Sequence, residues 1–262
     1  MADFMESNDF HGRIVAITAG AGGIGLEIAR HLHRLGAKLA ICDVDANALA
    51  AAAVEFPDAL FEQLDVSNEI GVNSFFSNIV TNFGKLDALV NNAGIAGPTG
   101  GVEEISSQDF RLCLEIGLVG QFNCAHYAVP VLKSSGGGSI VCMSSVAGKY
   151  GYAYRTPYCA MKFGVIGLAQ SLAKELGPHN IRVNAILPGF VEGPRMTKVI
   201  EDRAEQEGIP FEEMQKTYLR NVSLRKMVTA QDVAATIGFL LSDAGKNISG
   251  QNIAVDGNVE TI

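Results

Sequence analysis

Tyr158 and Lys162, in the run Tyr158-Cys159-Ala160-Met161-Lys162, are the residues of this chain whose types and spacing best suit proton chemistry. On a helix, positions four apart share a face, so this spacing sets a phenol beside an ammonium. A cation held there stabilises the phenolate, and a side chain with a free pKa near about 10 then exchanges protons closer to neutrality. That is the equipment of a general acid/base. The spacing alone is common among chains of this size, so its meaning depends on the elements that place it.

Those elements follow a regular rhythm. Apolar runs rich in Val, Ile and Leu alternate with longer helix-patterned stretches, which is what a parallel sheet flanked by helices requires. The pattern predicts strands over 14–18, 38–43, 60–65, 86–91, 139–143, 181–187 and 252–255. It predicts helices over 24–35, 46–55, 72–83, 107–132, 157–176 and 230–241, with Tyr158 and Lys162 near the start of one of them. The fold class is therefore α/β, a single-domain, Rossmann-type, doubly wound parallel sheet of about seven strands. Residues 1–11 read as a mobile tail, and 12–262 as one domain. The segment 194–226 breaks the alternation with charged, helix-prone residues such as Glu201-Asp202-Arg203. It leaves the carboxyl edge of the sheet, where open α/β folds bind ligands, and reads as a substrate lid or a plain surface hairpin.

Between the first strand and first helix lies Thr18-Ala19-Gly20-Ala21-Gly22-Gly23-Ile24-Gly25, four glycines in eight residues. Glycines there let the backbone approach a pyrophosphate, whose charge rests on the helix N-terminus. The unit ends at Asp43, eighteen residues beyond Gly25, which is the context that a dinucleotide fingerprint demands. Gly20, Gly22, Gly23, Ile24 and Gly25 are thus candidate cofactor contacts. Asp43 at a strand tip accepts hydrogen bonds from ribose hydroxyls and repels a 2′-phosphate, so the expected cofactor is NAD. No Arg or Lys stands in the loop or directly after Asp43, where a phosphate-binding alternative would want one.

Composition narrows the function classes. With 262 residues, 48% hydrophobic and 18% charged, the chain suits one large core. A net charge of -8 and the absence of any basic run of five argue against nucleic-acid binding. No apolar stretch of 18 residues suggests a membrane span, and Met1 to Arg13, with Asp3, Glu6 and Asp9, does not read as a secretory signal. The five cysteines form no close pair; buried thiols in a reducing cytoplasm, with no metal, are the expectation.

With the glycine loop, Asn91-Asn92-Ala93-Gly94 after the fourth strand, Ser144-Ser145 after the fifth, and then Tyr158 with Lys162, the chain resembles the short-chain dehydrogenase/reductase family over residues 12–258. The resemblance implies hydride transfer between nicotinamide and a carbonyl or alcohol carbon. It gives the proton-transfer role to Tyr158 and a hydrogen bond to the substrate oxygen to Ser145, thirteen residues before it. Lys162 lowers the Tyr pKa and binds the nicotinamide ribose. It also implies that Asp65 and Val66 frame the adenine, that Asn91, Ala93 and Gly94 lie beneath the ribose, and that Pro188, Gly189 and Val191 meet the carboxamide. A dimer interface built by the helices at 107–132 and 157–176, with dimers pairing into tetramers, is implied as well.

Three positions depart from the family pattern. Ala19 replaces the first loop glycine, which is tolerable if its φ stays negative. Gly193 replaces a Thr expected near Val191. Gly117 takes the place of the catalytic Asn, which in the family helps to hold a water linking the Lys to solvent, so that proton relay is in question. Between Ser145 and Tyr158, the run Lys149-Tyr150-Gly151-Tyr152-Ala153-Tyr154-Arg155 is expected to wall the substrate cleft. Its cations point to a polar or anionic substrate unless they are merely solvated, and Arg195 is a further candidate anion contact. The leading reading is an NAD-dependent dehydrogenase of secondary alcohols or their ketones. An NADPH-dependent 3-oxoacyl thioester reductase and a non-catalytic nucleotide sensor are the alternatives.

Overall fold

The computed structural model describes residues 10–260. Seven strands, β1 (Ile14–Thr18), β2 (Lys38–Asp43), β3 (Leu60–Gln63), β4 (Ala88–Asn91), β5 (Gly138–Met143), β6 (Ile181–Pro188) and β7 (Asn252–Val255), form one sheet in the order β3-β2-β1-β4-β5-β6-β7. Every pairing is parallel, with Ile17 opposite both Ile41 and Val90 in the centre. The chain winds outward in both directions from the β1–β4 boundary, and a crevice therefore opens at the carboxyl ends of those two strands.

Strand periodicity of two divides the core. Ile14 and Ala16 of β1 point to one face, Val15 and Ile17 to the other, and all are buried. Helices α3 (Glu69–Phe83), α5 (Gly120–Ser134) and α6 (Thr156–Leu176) cover the first face with Val72, Phe75, Ile79, Cys124, Leu132, Val165 and Leu176. Helices α1 (Gly23–Arg34), α2 (Ala46–Glu55) and α9 (Ala230–Leu241) cover the second with Ile28, Leu32, Leu49, Val233, Ile237 and Leu240. Each fully buried side chain of this size contributes roughly 1.5–3 kcal/mol. A third, smaller cluster joins Val146, Phe190 and Val259 to Ile200, Met214 and Tyr218 of helices α7 (Pro194–Glu207) and α8 (Phe211–Arg220). Residues 194–226 thus contain a helical pair packed over the strand ends rather than an open loop.

The structure corrects several expected boundaries. The helix expected over 107–132 is α4 (Ser107–Leu114), a π-helical turn Glu115–Val119, and α5. Helix α3 starts at Glu69, because the side chain of Asn68 accepts from Gly71 N and caps it. β3 ends before Asp65, whose carboxylate turns back to accept from Ser67 N and Oγ. β4 begins at Ala88 rather than residue 86. Phe10, placed by sequence in the tail, is fully buried, and its N–H donates to Leu35 O at 3.1 Å; residues 1–9 of that tail lie outside the described residues. Among the described residues, no helix is long and apolar enough to cross a membrane.

Candidate active site

At the carboxyl edge of the sheet, a cleft of about 590 Å³ runs from the glycine loop across β4 and β5 to α7. Gly22, Gly23, Ile24, Asp43, Gly94, Ser145, Tyr158, Lys162, Pro188, Gly189 and Val191 all line it. The structure thereby brings most of the sequence-derived candidates to one wall.

The glycine loop is built to admit a ligand. Helix α1 starts at Gly23 with no side-chain cap and no acidic residue in its first turn, so its amino-terminal N–H groups keep free donors. A Cβ at Gly22 or Gly23 would meet nothing within 4 Å, and Gly23 has φ +52°, a conformation that favours glycine. At Gly25 a Cβ would overlap Ala19 O and lie 2.7 Å from Asn92 Nδ2. That glycine serves close helix–strand packing. A dinucleotide's phosphates fit an opening of this kind, free of side chains and lined with unpaired amides.

Asn92 ties the loop down: its Nδ2 donates to Thr18 O and Ala19 O, while Thr18 Oγ1 accepts from Asn92 N and Ala93 N. Ala19 sits at φ +48°, so the condition for a strain-free replacement, a negative φ, is not met. The turn demands the left-handed conformation, and this alanine accepts its strain, about 1–2 kcal/mol. Asp43 accepts from Ala21 N at 3.1 Å and from Asp45 N at 3.2 Å, which places its carboxylate against the loop at the cleft wall.

Other candidates stand behind this wall rather than on it. Gly20 is wedged between the side chains of Ile17 and Ile41. Asn91 is buried and donates to Gln121 O, and Ala93 N is spent on Thr18. Val66 is buried with its carbonyl held by Asn123, and Asp65 is exposed at its own turn. None of Gly20, Gly25, Asp65, Val66, Asn91 and Ala93 lines the cleft.

At the other end, α6 sets Lys162 Nζ 5.6 Å from the Tyr158 ring centroid, one turn away. Lys162 is 3% exposed and donates to Met143 O at 2.8 Å. Ser144 is committed elsewhere, donating to Lys162 O at 2.8 Å. Ser145 lines the same cleft as Tyr158, and its Oγ accepts from Ala147 N at 3.2 Å. Burial raises the Tyr158 pKa, but Lys162, Arg195, the Ser145 hydrogen bond and Arg155 together outweigh it, and the net shift is downward. Burial depresses the Lys162 pKa, partly offset by Tyr158.

Arg155 settles the question of cleft wall or solvated cation. It is 4% exposed, stacked over the Tyr158 ring at 4.8 Å, and donates to Thr99 Oγ1 and Ala96 O. Lys149 is exposed, over the Tyr150 ring. Tyr152, in the run expected to wall the cleft, does line it, and so do residues that the sequence did not single out, among them Phe190, Met196 and Val199. The apolar residues of α7 carry no motif, so only packing reveals them.

Gly117, in the π turn, meets Met161: a Cβ there would overlap Met161 Sδ, with Met161 Cε at 3.2 Å. The thioether fills the space a side chain at 117 would need.

A family model described as enoyl-(acyl carrier protein) reductase matches residues 18–259. A short-chain dehydrogenase/reductase, aba4, of Botryotinia fuckeliana is 34% identical over 261 residues, covering 97% of this chain and 98% of that protein. The 3-oxoacyl-[acyl-carrier-protein] reductase FabG of Thermotoga maritima is 33% identical over 252 residues, covering 95% and 98%. Among solved structures, NAD+-bound xylitol dehydrogenase superposes with a TM-score of 0.93 at 28% identity, covering 95% of this chain and 99% of that one. The chain belongs to the short-chain dehydrogenase/reductase family, and with its seven-stranded parallel sheet it is an oxidoreductase of that family.

Proposed function

We propose that this protein is an NAD-dependent dehydrogenase that interconverts a secondary alcohol and its ketone, with Tyr158 as general acid/base. The observation that carries the reading is the convergence of Ser145, Tyr158 and Lys162 in one cleft with an uncapped helix N-terminus and Asp43 at its far end. NAD, when bound, supplies the hydride acceptor. Gly22, Gly23 and the first turn of α1 hold its phosphates, and Gly94, Pro188, Gly189 and Val191 flank its nicotinamide half. Asp43 selects against a 2′-phosphate, because the acidic residues of this end, Asp43 and Glu27, are joined by no cleft-lining Arg or Lys there. The nearby cation, Arg30, is engaged by Glu27 and Glu55.

In oxidation, the Tyr158 phenolate takes the hydroxyl proton while Ser145 donates to the substrate oxygen; in reduction the proton returns. Lys162 and Arg155 favour the phenolate. Met143 O anchors the ammonium so that it stays beside the ring. Helix α7, backed by α8, covers the substrate end as a lid through Arg195, Met196 and Val199. The NAD+-bound xylitol dehydrogenase likeness supports the cofactor. The Thermotoga reductase likeness supports instead a 3-oxoacyl thioester reductase, and the NADPH use of that alternative is disfavoured by Asp43. A panel of alcohols and ketones assayed by the absorbance of reduced cofactor, with NAD and NADP in parallel, decides. NAD-linked turnover is expected; better turnover with NADP would refute the role of Asp43.

A further inference from the structure

The substrate end of the cleft gathers three cations without ion pairs. Arg155, Lys162 and Arg195 all line it, and none has an acidic partner among the described residues. Arg155 is 4% exposed, yet its Nε is buried without a hydrogen-bond partner. Its two terminal nitrogens meet only a hydroxyl and a carbonyl, at 3.2 and 2.8 Å. A buried guanidinium normally meets a carboxylate, and here the protein supplies none.

Arg195 is exposed at the start of α7 and holds only a long 3.4 Å contact to Gly94 O. Helix α7 has fourteen residues, no side-chain cap and no acid in its first turn, so its positive end adds to the same field. Tyr152, on the same wall, has a buried hydroxyl with no partner. Of the cleft's acids, Asp43 and Glu27 lie at the adenosine end; Glu192, exposed on the turn before α7 and three residues before Arg195, makes no ion pair with it. Oxidised nicotinamide, itself cationic, adds to this charge rather than offsetting it.

From this juxtaposition of Arg155, Arg195 and the α7 N-terminus beside Tyr158, we infer that the substrate carries a carboxylate, that is, it is a small hydroxy acid or the matching oxo acid. Arg195, exposed on the rim of the cleft and free of an ion pair, makes the direct contact. Arg155 supplies fixed positive charge from beneath the Tyr158 ring and positions the loop 96–99. The planar guanidinium fork suits a carboxylate geometrically, which a Lys at 195 would not reproduce. The apolar remainder, Phe190, Met196 and Val199, accommodates the carbon skeleton. A neutral polyol or terpenoid alcohol would leave Arg155 and Lys162 to the Tyr158 phenolate but Arg195 and the α7 N-terminus without an anion.

The inference rests on the dehydrogenase reading only in calling the bound anion a substrate. Its test is calorimetric titration of the full chain, with NAD+ present, against isobutyrate, cyclohexanecarboxylate and benzoate, each paired with its amide. At least one carboxylate is expected to bind at least about tenfold more tightly than its amide. Arg195→Met is expected to bring that ratio near one, while Arg155→Lys, which keeps the charge, retains it. No preference in any pair, or a preference untouched by Arg195→Met, overturns the inference. In parallel, hydroxy acids are compared with their methyl esters for NAD reduction. Carboxylate preference without any alcohol oxidation sinks the dehydrogenase reading and leaves the anion site; ester and acid turned over equally do the reverse.

Discussion

Replacing Gly117 by Asn, the residue that the family pattern puts there, is expected to destabilise this protein rather than quicken it. The new Cβ would overlap Met161 Sδ and press on Met161 Cγ at 2.9 Å and Cε at 3.2 Å. Met161 is fully buried, so its thioether has no route to solvent without moving α6 against the π turn. Overpacking of this kind costs about 1–3 kcal/mol. In a domain of this length each kcal/mol lowers Tm by roughly 2–4 °C, so a loss of about 2–12 °C is expected. Gly117→Asn combined with Met161→Ala removes the overlap and recovers most of that loss. The double variant also places the Asn near Lys162, because Gly94 packs against both Gly117 and Lys162 Nζ. Scanning calorimetry of the single and double variants, beside steady-state NAD reduction, measures both effects. A single variant whose Tm stays within about 1 °C and whose turnover rises more than about tenfold, worth roughly 1.4 kcal/mol, refutes the reasoning.

Three further outcomes follow from the same geometry. Alcohol oxidation consumes the Tyr158 phenolate, so its kcat/KM should rise with pH through a midpoint below that of an ordinary tyrosine, and ketone reduction should fall over the same range; Lys162→Met removes the strongest opposing cation, so an unmoved midpoint would count against this assignment. Asp43→Ser should shift the kcat/KM ratio for NADP over NAD upward by at least about tenfold, a difference of roughly 1.4 kcal/mol, measured with one alcohol and both cofactors. Ala19→Gly relieves the left-handed strain at φ +48° at the cost of extra chain entropy, so the net stabilisation should be below about 1 kcal/mol; a destabilised variant in urea unfolding would show that the alanine methyl packs usefully.

What was legible in the sequence is what local pattern encodes. The apolar runs of β1, β2, β5 and β6 are buried on both faces and read as strands because both faces need apolar side chains. The glycine loop, Asp43 and the pair on α6 are encoded by spacing, and all reach one cleft. What was hidden depends on partners far along the chain. The π turn has no sequence signature, and the reason position 117 is a glycine lies forty-four residues away in Met161. Ala19 looks like any alanine until Asn92 and Thr18 hold the loop in its strained turn. Arg155 looks solvated by composition; only the fold of residues 96–99 over α6 buries it. Phe10 follows an acidic, tail-like run, and its burial becomes visible only when Leu35 receives its N–H.

The central claim, that Tyr158 carries the proton in a nicotinamide-linked reaction, is tested most directly by Tyr158→Phe. The phenyl ring keeps the contacts to Arg155 and Lys162 but loses the acid/base group. With NAD binding verified by calorimetry, kcat for the best alcohol of the panel should fall about 10²–10⁴-fold. A variant that binds NAD and turns over within about threefold of the native protein contradicts the account.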